Sequence, residues 1–199
     1  MSLKLGRREQ KKINNRKAIL EAGLEVFSTV GYERATINDI VSESGLSVGT
    51  FYNHCGDKDT IFSELLTGFL MKVRTTLSQA RQSATTLEGF IKGAFLAYSK
   101  LISQYPKMQL MISKNAPVFK QVLSEKEELT EIIDDLSRDM QLAVEVGMAP
   151  KFPVSMMTSA MIASSIDIFS VSDDEYSAKE KAEFLGNLFI GGIERMASK

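Results

Sequence analysis

The sequence predicts an all-α protein built as two helical units. Three observations carry that prediction. Apolar residues recur at three- and four-residue steps nearly throughout the chain. Strand-like alternation is missing, and glycine and proline rarely interrupt the pattern before Pro106. The chain has 199 residues, of which 44% are hydrophobic, enough for one or two packed units.

The elements follow in order. Residues 1–9 read as a flexible basic arm, and residues 10–56 as a first helical unit. Thr36 is a good N-cap with Asp39 three residues on, so the pair can satisfy free N–H groups at a helix start. Ile37, Ile40 and Val41 then give a short helix one apolar face. Gly45 is a stop that tolerates positive φ, and Leu46 turns back toward the apolar side. Ser47 is a second N-cap, and Val48 to His54 read as the next helix, with Phe51 inward. Asp57 caps a third helix, and Lys58 lies in its first turn. Two short helices at this spacing around a glycine fit a helix-turn-helix, an element that enters the DNA major groove, although a generic glycine turn between helices gives the same pattern.

The outward residues of the second helix suit that task. Gly49 carries no side chain and lets the backbone approach base edges. Thr50 offers a hydroxyl and a methyl, Tyr52 and His54 can donate to phosphate oxygens, and Asn53 can make a bidentate contact to adenine. Lys58 at a helix N-terminus marks an anion site, weakened by Asp57 and Asp59. The candidate DNA-binding set is Thr36, Ser47, Val48, Gly49, Thr50, Tyr52, Asn53, His54 and Lys58.

Net charge is −1, but it is unevenly spread. Residues 1–20 hold Lys4, Arg7, Arg8, Lys11, Lys12, Arg16 and Lys17 against Glu9, a balance of +6 that leaves −7 on the rest. A basic amino-terminal segment beside a recognition helix is the footprint of phosphate or minor-groove contact. The single cysteine, Cys55, excludes an internal disulfide framework, fits a reducing cytoplasm, and reads as a small buried hydrophobe. No apolar run approaches a membrane span, and the basic start has no apolar stretch after it to make a signal peptide.

The first unit resembles the TetR family of bacterial transcription repressors. The residues that carry the resemblance are Ala18-Ile19-Leu20-Glu21-Ala22-Gly23, Phe27, Gly31-Tyr32, Thr36, Ile40, Gly45-Leu46-Ser47, Gly49-Thr50-Phe51-Tyr52-Asn53-His54, Lys58 and Phe62, over roughly residues 12–70. Cys55 and Gly56 depart from the family pattern, where Phe and a polar residue or Pro are commoner, and Val41 stands where Ala is commoner. None of these removes a groove-facing group. The resemblance implies an amino-terminal three-helix helix-turn-helix domain followed by a helical ligand-binding and dimerisation domain, here residues 57–199.

In that second unit, Asp57 to about Arg81 reads as one long helix with Ile61, Leu65, Phe69 and Val73 apolar. Thr86 to Tyr105 is another, with Phe90, Ile91, Ala94, Phe95, Tyr98, Leu101 and Ile102 inward. Pro106 starts a short helix. Pro117 opens a long one in which Leu129, Ile132, Ile133, Leu136, Met140 and Val144 repeat. A loop at Gly147–Pro153 precedes helices of about residues 154–171 and 177–198. The acidic run Glu125, Glu127, Glu128, Glu131, Asp134 and Asp135 reads as a solvated helix face.

Small residues in the last two helices (Ser159, Ala160, Ala163, Ser164, and Gly186, Gly191 and Gly192) permit close helix approach. Apolar residues from Phe184 to Ile193 exceed what one face needs. The family resemblance implies a four-helix bundle between two subunits, with Ser159, Ala163, Leu185, Leu188, Phe189 and Gly192 as candidate interface residues. A homodimer would set two recognition helices about 34–36 Å apart on a palindromic double-stranded operator. Seven of the ten methionines lie in the later part of the second unit. Met108, Met111, Met140 and Met161, with Phe95, Tyr98 and Phe119, are candidates for a pocket that takes a small apolar effector, which the resemblance also implies. The alternative is a DNA-binding protein of the same kind regulated by a protein partner, with no small ligand. An enzyme is not expected: the single histidine sits in the recognition helix, and no metal-spaced cluster, phosphate loop or nucleophile constellation is visible. No cofactor, metal or membrane partner is called for.

Overall fold

The computed structural model describes residues 6–171 and 175–197. Among them the chain forms ten helices and no strand: α1 (Arg7–Thr29), α2 (Ile37–Ser44), α3 (Val48–Tyr52), α4 (Lys58–Gln82), α5 (Leu87–Ser103), α6 (Pro106–Lys114), α7 (Ala116–Ser124), α8 (Glu127–Glu145), α9 (Val154–Ser170) and α10 (Ala178–Ala197). The all-α expectation holds.

Local chemistry sets the helix ends. Thr36 and Asp39 form a reciprocal capping box: the Asp39 N–H donates to Thr36 Oγ1 at 3.2 Å, and the Thr36 N–H donates to Asp39 Oδ2 at 2.9 Å. Gly45 closes α2 in the left-handed region at φ 66°, where a side chain would be strained. Ser47, Asp57 and Thr86 cap α3, α4 and α5 in the same side-chain manner.

Three expectations about the elements need correction. α1 begins at Arg7, so the basic arm is shorter than residues 1–9, and its first five residues lie outside the described residues. The recognition helix ends at Tyr52, two residues before His54. The long helix expected from Pro117 is two helices. At Lys126 the backbone is extended (φ −87°, ψ 123°), and the Lys126 ammonium donates to Ser63 on α4. Glu127 and Glu128 then open α8, where acidic side chains favour a helix start.

The first unit packs on an aromatic trio. Phe27, Tyr32 and Phe62 sit with ring centroids 5.2–5.6 Å apart, and Ile19, Ile40, Phe51 and Ile61 are fully enclosed around them. Each such side chain contributes about 1.5–3 kcal/mol on burial. This core continues without a break along α4 into Leu66, Phe69 and Val73, and on to Met111, Phe119 and Ile132. A second core joins α5, α8, α9 and α10 through Phe95, Leu136, Met161, Leu185 and Phe189.

Candidate nucleic-acid interface and effector cavity

The helix-turn-helix leaves a polar, open face. Thr36, Ser47, Val48, Gly49, Tyr52 and Asn53 are all exposed, and Thr50 is half-exposed. Among the described residues, nothing beyond the local helix backbone lies within 4 Å of where a Gly49 side chain would stand, so the backbone is free to approach a groove. Val48 and Tyr52 are each more than half exposed, unusual for such large apolar groups on a five-residue helix. The Ser47 hydroxyl accepts from the Thr50 N–H at 3.2 Å and lies 2.9 Å from Thr50 Oγ1. That pair shares one hydroxyl hydrogen and keeps the other for a base edge or phosphate.

Two of the expected DNA contacts are committed elsewhere. The Lys58 ammonium donates to the carbonyls of Tyr32 (2.9 Å) and Ala35 (3.3 Å) and stands 4.4 Å from the centre of the Tyr32 ring. It therefore ties the α1–α2 loop to α4 with two of its three N–H donors. His54 turns inward: the Asn15 amide donates to His54 Nε2 at 3.3 Å. Arg16, counted above with the basic segment, is likewise engaged. It pairs with Glu64, donates to the His54 carbonyl, and places Nη1 2.6 Å from Cys55 Sγ. Cys55 is buried, as expected, and burial pushes its thiol pKa up despite the nearby guanidinium. Arg7, Arg8, Lys11 and Lys12 are exposed on the first turns of α1 and form no ion pair within the described residues.

The sequence reading missed the clamp between the two units. Asn115, at the α6–α7 junction, is buried. Its amide donates to the carbonyls of Phe27 (3.1 Å) and Met111 (2.7 Å), and its oxygen accepts the Tyr32 N–H at 2.6 Å. The neighbouring Lys114 ammonium donates to the Thr29 carbonyl. An asparagine two residues before Pro117 hints at a turn, but a partner 88 positions away leaves no local trace.

A cavity of about 120 Å³ lies in the second unit. Of the expected effector residues, Phe95, Tyr98, Phe119 and Met161 line it. Met108, Met111 and Met140 do not: they are buried in the packed cores, Met111 and Met140 almost completely. α4 supplies a wall that the sequence reading did not assign, with Phe69, Val73 and Arg81. The acidic run on α8 is not wholly solvated either. Glu131 and Asp135 both pair with Arg74 of α4, and the guanidinium holds the Asp135 carboxyl below its usual range.

The last two helices also divide the expected interface set. Leu185 and Phe189 are buried in their own chain's core, Phe189 stacked on Phe95. Gly186 faces inward as well: a side chain there would stand 3.3 Å from the Lys92 Cα, so this glycine seats α10 on α5. Ser159, Ala163 and Leu188 are exposed and Gly192 is half-exposed. Phe184, from the surplus apolar run of the last helix, and Met156, one of the later methionines, are among the most exposed apolar side chains of the described residues, at 58% and 72%.

A capped helix, a glycine turn and a short open helix, set beside a basic helix start, define a helix-turn-helix protein. A family model for bacterial regulatory proteins of the tetR family matches residues 19–65, which include this element. The chain is 32% identical over 90 residues to the HTH-type transcriptional regulator YdgC of Bacillus subtilis, covering 45% of this chain and 46% of that one. It is 33% identical over 69 residues to the repressor AcnR of Corynebacterium efficiens, covering 35% and 37%. The chain thus spans less than half the length of these curated relatives. Its whole fold matches a TetR-family regulator from Syntrophomonas wolfei (TM-score 0.71, 22% identity, 93% of this chain and 95% of that one). It also matches FadR of Bacillus subtilis, solved in complex with stearoyl-CoA (TM-score 0.76, 14% identity, 89% and 98%). Residues 19–65 are thus similar to the helix-turn-helix domain of the tetR family, and the fold of the whole chain is similar to that of solved TetR-type regulators.

Proposed function

We propose that this protein is a sequence-specific DNA-binding transcription regulator, a homodimeric repressor released from a palindromic operator by a small, largely apolar effector. The observation that carries the DNA-binding part is the open α2–α3 face, with its exposed Val48, Gly49, Tyr52 and Asn53 beside the exposed Arg7, Arg8, Lys11 and Lys12 of α1. Tyr52 supports the duplex through phosphate, and Thr50 and Asn53 read base edges. Arg7, Arg8, Lys11 and Lys12 supply the salt-dependent attraction.

The cavity supports the effector part. It lies against α4, the helix that also closes the core of the first unit through Ile61 and Phe62. An effector acts by binding one arrangement of that helix better than the other. Switching a promoter from mostly bound to mostly free needs a difference of about 5 kcal/mol. A cavity with a largely apolar lining of Phe69, Phe95 and Phe119 favours this reading over regulation by a protein partner alone. The exposed Met156, Ser159 and Ala163 of α9 and Phe184 and Leu188 of α10 support the homodimer, because a second copy would cover a face that one chain leaves in water.

Selection of bound fragments from a bacterial genome, followed by a salt titration on the best one, tests the proposal. A palindromic site with a steep salt slope is expected. Weak binding indifferent to sequence would overturn it.

A further inference from the structure

The cavity is apolar except at Arg81, Tyr98, Ser165 and Ser170, and the Ser165 hydroxyl is taken by the Met161 carbonyl. Arg81 lines it and is 5% exposed. Its Nε–H donates to Asp139 Oδ2 at 2.7 Å, while its two terminal amino groups have no hydrogen-bond partner among the described residues. A guanidinium has five N–H donors, and leaving several unmet in a buried setting is costly. Tyr98, on α5 and half-buried, lines the same cavity with its ring edge-on to Phe169 at 4.7 Å, and its hydroxyl makes no hydrogen bond among the described residues. Burial drives its pKa far upward, so it stays a neutral hydroxyl able to donate. Neither group is sealed from water-sized space, so both face the cavity and can meet an acceptor there.

The charge balance selects the kind of acceptor. Asp139 already neutralises Arg81, and the nearby carboxylates Glu131 and Asp135 are taken by Arg74. A carboxylate ligand would bring an unbalanced negative charge into apolar surroundings, which costs several kcal/mol. An uncharged carbonyl oxygen brings none. We propose that the cavity takes an apolar molecule carrying an uncharged carbonyl (a ketone, ester or amide), with the oxygen on Arg81 and Tyr98 and the body among Phe69, Val73, Phe95 and Phe119. This rests on the reading of the cavity as an effector site. A void of this order holds a single aromatic ring, as an engineered apolar cavity of about 150 Å³ does.

Three probes of matched size and shape test it on the full chain without DNA, by calorimetry: acetophenone, isopropylbenzene and benzoate. Acetophenone should bind about tenfold more tightly than isopropylbenzene, the worth of a hydrogen bond to a charged donor after desolvation. Benzoate should bind most weakly. In the Arg81→Met/Asp139→Asn double variant, which leaves no orphan charge, the preference for acetophenone should vanish while isopropylbenzene keeps its affinity. If that variant does not fold, Tyr98→Phe carries the same comparison with a smaller loss. Equal binding of acetophenone and isopropylbenzene, or tightest binding of benzoate, would overturn the proposal and leave the effector cavity standing. Binding of none of the three would remove the cavity reading and the proposal with it.

Discussion

Asn115→Ala should be among the most damaging single changes outside the apolar core. The side chain makes three hydrogen bonds at 2.6–3.1 Å in a buried site, to the Phe27 and Met111 carbonyls and the Tyr32 N–H. Alanine cannot replace them, and at least two backbone groups from the first unit are left without a partner. At about 1–1.5 kcal/mol per group the loss is about 3 kcal/mol. For a chain of this size each kcal/mol lowers the melting temperature by about 2–4 °C, so a fall of about 6–12 °C is expected. Thermal unfolding at fixed protein concentration measures it. Hydrogen exchange should show the loss concentrated at the end of α1 and in the α1–α2 loop. A melting temperature within about 1 °C of the parent protein would refute the reasoning, because it would mean that water replaces the amide at no cost.

Lys58→Met should lower stability by about 1–2 kcal/mol through loss of the Tyr32 and Ala35 carbonyl contacts. It should leave the salt slope of DNA binding unchanged, and a slope reduced by about one would restore Lys58 as a phosphate contact. Hydrogen bonds from Thr36 hold the Asp39 carboxyl below its ordinary 3.8. Its contribution is therefore complete above that value and lost as pH falls through the lower native one. Asp39→Asn should flatten that part of an acid unfolding curve, and an unchanged acid limb would remove the capping box from the account. Leu188→Lys should convert the proposed dimer to monomer in sedimentation. Two copies losing about 2 kcal/mol each weaken association about a thousandfold, and a dimer that survives the substitution would place the interface elsewhere.

The elements that the sequence made legible are those whose cause is local. Thr36, Gly45 and Ser47 announce a helix start, a stop and a second start, and the structure places them so. The 3.6-residue pattern likewise located Phe69, Phe90, Phe95 and Ile102 in the interior. Errors arose where a distant partner decides. Lys58 and Arg16 look like free cations in a basic, DNA-facing segment, yet carbonyls of another loop and Glu64 claim them. Leu185 and Phe189 share a helix with Leu188, and periodicity alone cannot say which face meets α5 of the same chain. Met140 and Met161 are the same residue type on neighbouring helices, but only Met161 borders the void. Arg81 escaped notice because a cation near the end of a long helix ordinarily reads as a solvated one.

The unbroken core along α4 has a thermodynamic consequence. Phe27 and Phe62 on one side, and Phe69 and Ile132 on the other, belong to one contiguous set of buried side chains. A cut after residue 56 would separate Phe51 from Ile61 and Phe62 and strand apolar surface on both fragments. The boundary between the units therefore separates tasks and does not separate melting units. Heat or denaturant meets a single cooperative block from Ile19 to Ile132, and any molecule that stiffens the wall of the cavity raises the unfolding temperature of the DNA-binding helices as well.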